Sequence, residues 1–171
     1  MILTGNEIIK QEEKQNIDIR PFHRRNVNPN SYNYRLDRYL KKAVTMENQV
    51  EFETIDLLDY PDGYILELDN FYLANTYENI GSSKYAMSLI GRSSLGRLGM
   101  FLQVSANLGH TGSSHHWTLE IVPCMNIKVY YKMIVGQVSF WTNEGELEFS
   151  KHIYNQYDLP TESFRADVKA N

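Results

Sequence analysis

The stretch "HHWTLEIV", residues 115–122, alternates with a period of two. Trp117, Leu119 and Ile121 fall on one face of an extended strand, with Thr118, Glu120 and Val122 on the other. Outward from it, "YILEL", "FYLANTY", "KYAMSLI" and "FLQVSA" come before, and "NIKVYY" and "IVGQVSF" after. These short runs are rich in Val, Ile, Tyr and Phe and are separated by turn signals, a spacing that predicts a mainly β fold, a sandwich or barrel, from residue 50 onward. Further upstream, "TGNE" at residues 4–7 has the capping-box form. Thr4 can accept from the N–H near Glu7 while Glu7 reaches back, so a short helix is expected over about 5 to 14. "NIDIRPF" then alternates before Pro21, and "RRNVNPNSYNYRL" collects Asn and Pro as a loop leading into a short strand.

At 171 residues the chain is expected to form one domain over 1–171 with a substantial core. Hydrophobic residues at 42% and charged ones at 22% fit a globular protein rather than a disordered or fibrous one, with twelve tyrosines as the unusual excess. The 21 acids against 17 bases leave a formal charge of -4, so no basic field exists to hold a long polyanion by counterion release. Nucleic-acid binding is therefore not expected. A small anion is another matter, since local arginines and backbone N–H groups can hold one whatever the net charge. Cys124 is the single cysteine, which excludes an intramolecular disulfide and a Cys-rich zinc site and fits a reducing compartment. The opening turns polar after four residues and no eighteen apolar residues run together, so a cytoplasmic protein, neither exported nor membrane-inserted, is expected. The tail from about 150 to 171 has no clear period; such a polar terminus is expected to be mobile unless a ligand or subunit holds it.

Three constellations carry chemistry. In "IGRSSLGRLGM", residues 90–100, Ser93 or Ser94 can cap a very short helix that Gly99 ends, leaving N–H groups pointing outward at its start. Arg92 and Arg97 flank it with forked donors suited to phosphate or a polar base. The same composition describes a solvated turn joining two strands. Glu120, covered on both faces, would be desolvated and could act as a general base; on a wet face it is an ordinary polar residue. "LGHTGSSHHW" groups His110, His115 and His116, but adjacent strand residues point to opposite sides and no zinc spacing supports them. A loop or interface role is expected there, with no bound metal.

Taken in order, "MILTGNEI", "IDIRPF", "NPNSYNYRL", "FYLANTYENI", "GRSSLGRLG", "VSANLGHTG", "TLEI" and "MIVGQVSF" resemble the dCTP deaminase branch of the dUTPase-like superfamily. The resemblance covers most of the chain, and its most specific part is the arginine-serine block followed by "TLE". It implies a distorted β-barrel or jelly-roll that assembles as a homotrimer, with nucleotide sites at subunit interfaces and the tail closing as a lid. It also implies zinc-independent hydrolysis of dCTP to dUTP and ammonia. Glu120 would activate the water and shuttle its proton; Ser93 and Arg97 would orient the groups, and the Ala106 carbonyl would help hold the water. Arg92, Ser93, Ser94, Leu95, Gly96 and Arg97 match the nucleotide-contacting segment, Thr118 and Leu119 sit beside the base, and Tyr157 matches a closing contact. Magnesium would arrive with the triphosphate, ligated by phosphate oxygens and water.

The chain departs from the pattern at three places. Gly109-His110 stands where the family has Ile-Asp, whose aspartate serves phosphate hydrolysis or the sugar hydroxyl; His110 can exchange one bond with that hydroxyl. Gln156-Tyr157 replaces a Lys-Tyr pair, removing a phosphate partner, with Ser163 another closing contact. The glycine usually found before the "MIVGQ" turn is Lys132. Three functions follow: a dCTP deaminase, a dUTPase-type diphosphatase weakened by His110, or a non-catalytic trimeric nucleotide-binding or regulatory protein.

Overall fold

The computed structural model describes residues 1–46, 49–147 and 159–162. A first helix, α1 (Gly5–Glu13), precedes β1 (Ile17–Arg20), β2 (Tyr32–Arg35), β3 (Tyr39–Met46), β4 (Gln49–Asp56), β5 (Tyr64–Leu66), β6 (Tyr72–Ser82) and β7 (Tyr85–Gly91). A single helical turn, α2 (Ser93–Gly96), leads into β8 (Met100–Leu102), β9 (Leu108–Gly109), β10 (Ser114–Pro123), β11 (Ile127–Val129) and β12 (Ile134–Thr142). The mainly β expectation holds. The expected barrel does not: the strands form two open antiparallel sheets and a short pair. One sheet runs β4-β3-β6-β10-β8 with β1 also on β6, the other β2-β12-β7-β9, and β11 pairs β5. Closure would need β4 and β8 to meet. Instead β8 ends after three residues, where Gln103 adopts a left-handed backbone with φ of 52°. Among the described residues no helix is long and apolar enough to cross a membrane.

At α1 the capping box is half realised. Thr4 Oγ1 accepts from Glu7 N–H at 3.4 Å, but the Glu7 carboxylate turns along the helix to accept from Gln11 Nε2 at 2.5 Å rather than reaching back. The hairpin β3–β4 was not anticipated, because "YLKKAVTM" and "QVEFETID" carry charge on both faces and lack a clean alternation.

Part of the tyrosine excess belongs to the core. Tyr32, Tyr34 and Tyr72 are fully buried, yet each hydroxyl keeps a partner: Tyr32 accepts from His23 N–H, Tyr34 donates to the Ile90 carbonyl and Tyr72 accepts from Glu67 N–H, all at 3.0 Å. Burial drives the Tyr34 phenol far above its ordinary pKa. Gly136 is required beneath it, since a Cβ there would lie 2.1 Å from the Tyr34 ring and hydroxyl. Beside these rings Glu78, fully buried, accepts from Arg35 N–H at 2.8 Å and from Arg35 Nε at 2.6 Å. The charge is tolerated in the interior because both carboxylate oxygens are satisfied.

Candidate active site

Glu120 lies on β10, where the alternation read from sequence is realised: Leu119 and Ile121 are fully buried while Thr118 and Glu120 are half-buried on the other face. β6 pairs along one edge, placing Leu73 opposite Glu120 and Asn75 opposite Thr118, with a Thr118 Oγ1 to Asn75 Oδ1 contact of 3.4 Å. A register shift between His116 and Thr118 lets the Thr76 hydroxyl accept from Trp117 N–H at 2.9 Å and donate to the Glu78 carbonyl at 2.7 Å. His115 and His116 separate as expected. His115 is buried with its ring 4.1 Å from that of Trp117, and His116 Nδ1 meets the Thr76 carbonyl at 3.0 Å.

On the other edge β8 reaches only to Leu102, opposite Ile121, and the next residue takes over in an unusual way. Gln103 N–H donates to the Glu120 carbonyl at 3.1 Å. The Gln103 side-chain Oε1 then accepts from Glu120 N–H at 2.8 Å, and Nε2 donates to the Ala106 carbonyl at 3.3 Å. Glu120 and Ala106, two members of the expected catalytic set, are thus joined through one buried amide. Sequence reasoning missed Gln103: it sat inside a run read as the strand "FLQVSA", and nothing in that pattern signals a positive φ.

The arginine-serine block is placed differently. Arg92, with extended backbone, occupies the N-cap position of α2 and makes no side-chain cap bond; Ser93 and Ser94 are the first helical residues, so neither is the expected cap. The Leu95 and Gly96 N–H groups bond back to the Arg92 carbonyl at 3.0 and 2.9 Å, and Gly99, with φ of +85° and no room for a Cβ against Met125, ends the turn as predicted. Ser93, Ser94 and Arg97 are exposed and Arg92 is half-buried. Among the described residues no hydrogen bond or ion pair engages the side chains of Arg92, Ser93, Ser94, Arg97 or Glu120. The Gly99 carbonyl accepts from Cys124 N–H at 2.6 Å, four residues beyond Glu120 and so roughly 13 Å along the strand. Among the described residues no hydrogen bond joins the side chains of this turn to Glu120.

Of the remaining expected contacts, the Leu119 side chain points into the core and Leu95 is buried, so neither side chain is presented at the surface. Gly96 has open space where a Cβ would be. His110 is exposed in the turn after β9, its carbonyl accepting from Ser113 N–H at 3.2 Å. Tyr157, with Gln156 and Ser163, lies outside the described residues. The described tail at 159–162 reaches this face: Thr161 N–H donates to Thr118 Oγ1 at 3.3 Å, and Glu162 pairs with Lys41 at 2.8 Å. Lys41 is opposite Leu73, which is itself opposite Glu120, so a cation unmarked in the sequence shares the face of Glu120. A separate cleft of about 370 Å³, lined by Thr4, Asn6, Arg24 and Asn28 among others, shares no residue with this site.

Strand order, the Glu120 face and the outward-facing arginine-serine turn define a β-rich protein with an accessible polar face. The family described as dCTP deaminase-like matches residues 2–143, and the chain belongs to that family. Among its relatives, a protein of Clostridium beijerinckii named dCTP deaminase, dUMP-forming is 40% identical over 152 residues, covering 86% of each chain. A Clostridium botulinum protein of the same name is 38% identical over 150 residues, again with 86% of each covered. The crystal structure of 2'-deoxycytidine 5'-triphosphate deaminase from Agrobacterium tumefaciens shares the fold, with a TM-score of 0.68 and 20% identity over 85% of this chain. This chain spans about half that protein's length, 49%.

Proposed function

We propose that the chain deaminates dCTP to dUTP and ammonia as a homotrimer of the jelly-roll type, each site combining β10 of one copy with the α2 turn of a neighbour. The observation that carries this reading is the division of the family's site residues. Gln103 ties Glu120 to Ala106, while the side chains of Ser93 and Arg97 are exposed with no hydrogen bond or ion pair among the described residues. In this reading a second copy completes the site across a symmetric interface. Apolar side chains around the same loop support it: Phe101 and Val122 sit opposite one another and stay exposed, and Val104 is 75% exposed.

In this reading a water held by the Ala106 carbonyl adds its oxygen to C4 of cytosine while Glu120 takes its proton. Glu120 delivers that proton to N3, then takes the second water proton from the new C4 hydroxyl and passes it to the amino group, which leaves as ammonia as C4 becomes a carbonyl. Ser93 and Arg97 of the neighbouring copy orient the base and the carboxylate, and Arg92 and Ser94 meet phosphate. No zinc takes part, because the one cysteine cannot build the Cys/His ligand set of zinc deaminases. Magnesium arriving with the triphosphate would supply charge neutralisation there without a dedicated set of protein ligands. The single cysteine also supports a cytoplasmic location.

A second reading of the product is favoured by the relatives' names, which specify dUMP. It requires pyrophosphate release after deamination, against which stands His110 in place of the expected aspartate. Incubation with dCTP and magnesium separates the readings. Ammonia without pyrophosphate supports dUTP formation, ammonia with equal pyrophosphate supports dUMP, and binding without either product leaves a nucleotide-binding protein.

A further inference from the structure

We infer that Gln103 is a positioning residue for deamination, holding the main chain of Glu120 and the Ala106 carbonyl in one rigid frame; this rests on the roles given to those two groups above. In an uninterrupted antiparallel ladder, Glu120 N–H would be met by a backbone carbonyl of β8. The left-handed backbone at Gln103, φ 52°, takes its own carbonyl off that line, and its side-chain Oε1 accepts from Glu120 N–H at 2.8 Å in its place. The backbone N–H of the same residue still donates to the Glu120 carbonyl at 3.1 Å, so both main-chain polar groups of Glu120 are bound by Gln103. The substitution of side chain for backbone leaves the amide nitrogen available, and Nε2 donates to Ala106 at 3.3 Å across the loop that follows.

Such an amide does something a backbone carbonyl could not. A carbonyl accepts only, whereas the glutamine accepts from the strand that carries the base and donates to the loop that carries the water-holding oxygen. Gln103 is buried while Val104 to Leu108 are exposed, so it anchors an otherwise solvent-facing loop. One lone pair of Ala106 is occupied by Nε2, which orients the carbonyl and leaves the other for water. A left-handed non-glycine residue is retained only where its surroundings over-determine it, and here three hydrogen bonds do so.

Two variants of the full chain, assayed for ammonia release from dCTP with magnesium, test this. Gln103→Leu removes both side-chain bonds, and is expected to lower kcat about 10²-fold with KM changed less than about threefold, the signature of lost geometry rather than lost affinity. Gln103→Glu keeps the acceptor for Glu120 N–H, but when ionised it repels the Ala106 carbonyl and when protonated it donates to it again. The ratio of its kcat to that of the unmodified protein therefore rises as pH falls, which a merely structural role would not produce. A Gln103→Leu kcat within about threefold of the unmodified protein, or a ratio for Gln103→Glu that does not change with pH, overturns the inference. Should Gln103→Leu not fold, the pH ratio of Gln103→Glu decides alone. Glu120→Gln, run alongside, separates the two levels: full turnover there defeats the role of Glu120 itself, whereas an inactive Glu120→Gln beside unimpaired Gln103 variants defeats only the role of Gln103.

Discussion

Glu78 on β6 and Glu120 on the neighbouring β10 are carboxylates in opposite circumstances. Glu78 is fully buried and both oxygens are taken by Arg35, through its backbone N–H and its Nε. Glu120 is half-buried, its main chain is held on both sides, and its carboxylate has no partner among the described residues. The first is saturated and can only hold structure. The second is rigidly mounted yet chemically unspent, the arrangement a proton-transferring group needs.

The contrast can be broken most directly at Glu120. Glu120→Gln keeps shape and is expected to reduce ammonia release from dCTP by roughly 10² to 10⁴-fold with an unchanged urea midpoint. Retained activity would return Glu120 to the class of ordinary surface residues. At Glu78 the opposite outcome is expected. Glu78→Ala leaves the Arg35 charge buried without its counter-ion, and urea unfolding should show a loss of about 3–5 kcal/mol while kcat per folded molecule stays level. A marked fall in kcat would mean that Glu78 reaches the chemistry.

A subtler test asks whether the unspent carboxylate meets the arginine turn of its own chain or of another. Arg97→Ala and Glu120→Gln proteins, each inactive, are co-expressed; with random assembly about a quarter of all sites pair two intact contributions, and a corresponding fraction of activity returns. Activity that stays at the level of the separate variants would place both residues in one chain. The smallest effect belongs to a third carboxylate, Asp56, which Arg38 holds below the usual carboxylate range through a direct hydrogen bond. Its contribution to stability is present above the ordinary carboxylate pKa and is lost as pH falls through the lowered one. Asp56→Asn is therefore expected to lower Tm slightly at neutral pH and to leave it unchanged in acid, flattening the acid limb of a Tm–pH curve by a small amount because the pair is partly exposed.

Strand identity was legible where one face is buried and the other wetter, as in β10 and β7, because apolar burial imposes a period of two on the chain. The hairpin β3–β4 was not legible, since side chains charged on both faces carry no such period. Thr4 and Gly99 acted where expected, because capping and positive φ depend on neighbouring residues alone. Lys132, where a glycine was missed, takes that conformation regardless, with φ of 62°, its ammonium over the rings of Tyr77 and Tyr131.

By itself the sequence determined the strand-rich class, the first helix, the face of Glu120 and the family to which "GRSSLGRLG" and "TLE" belong, all of them properties carried within a few neighbouring residues. Only the tertiary structure decided that the sheets stay open, that Arg35 neutralises Glu78 across 43 positions, that Lys41 shares the Glu120 face, and that Gln103 couples Glu120 to Ala106. Those outcomes depend on which strands pair and in what register, and on a backbone torsion at residue 103 whose cost is repaid by bonds to groups far along the chain or across a loop. Local pattern carries no record of such partners, because the energy that selects them exists only once the strands have met.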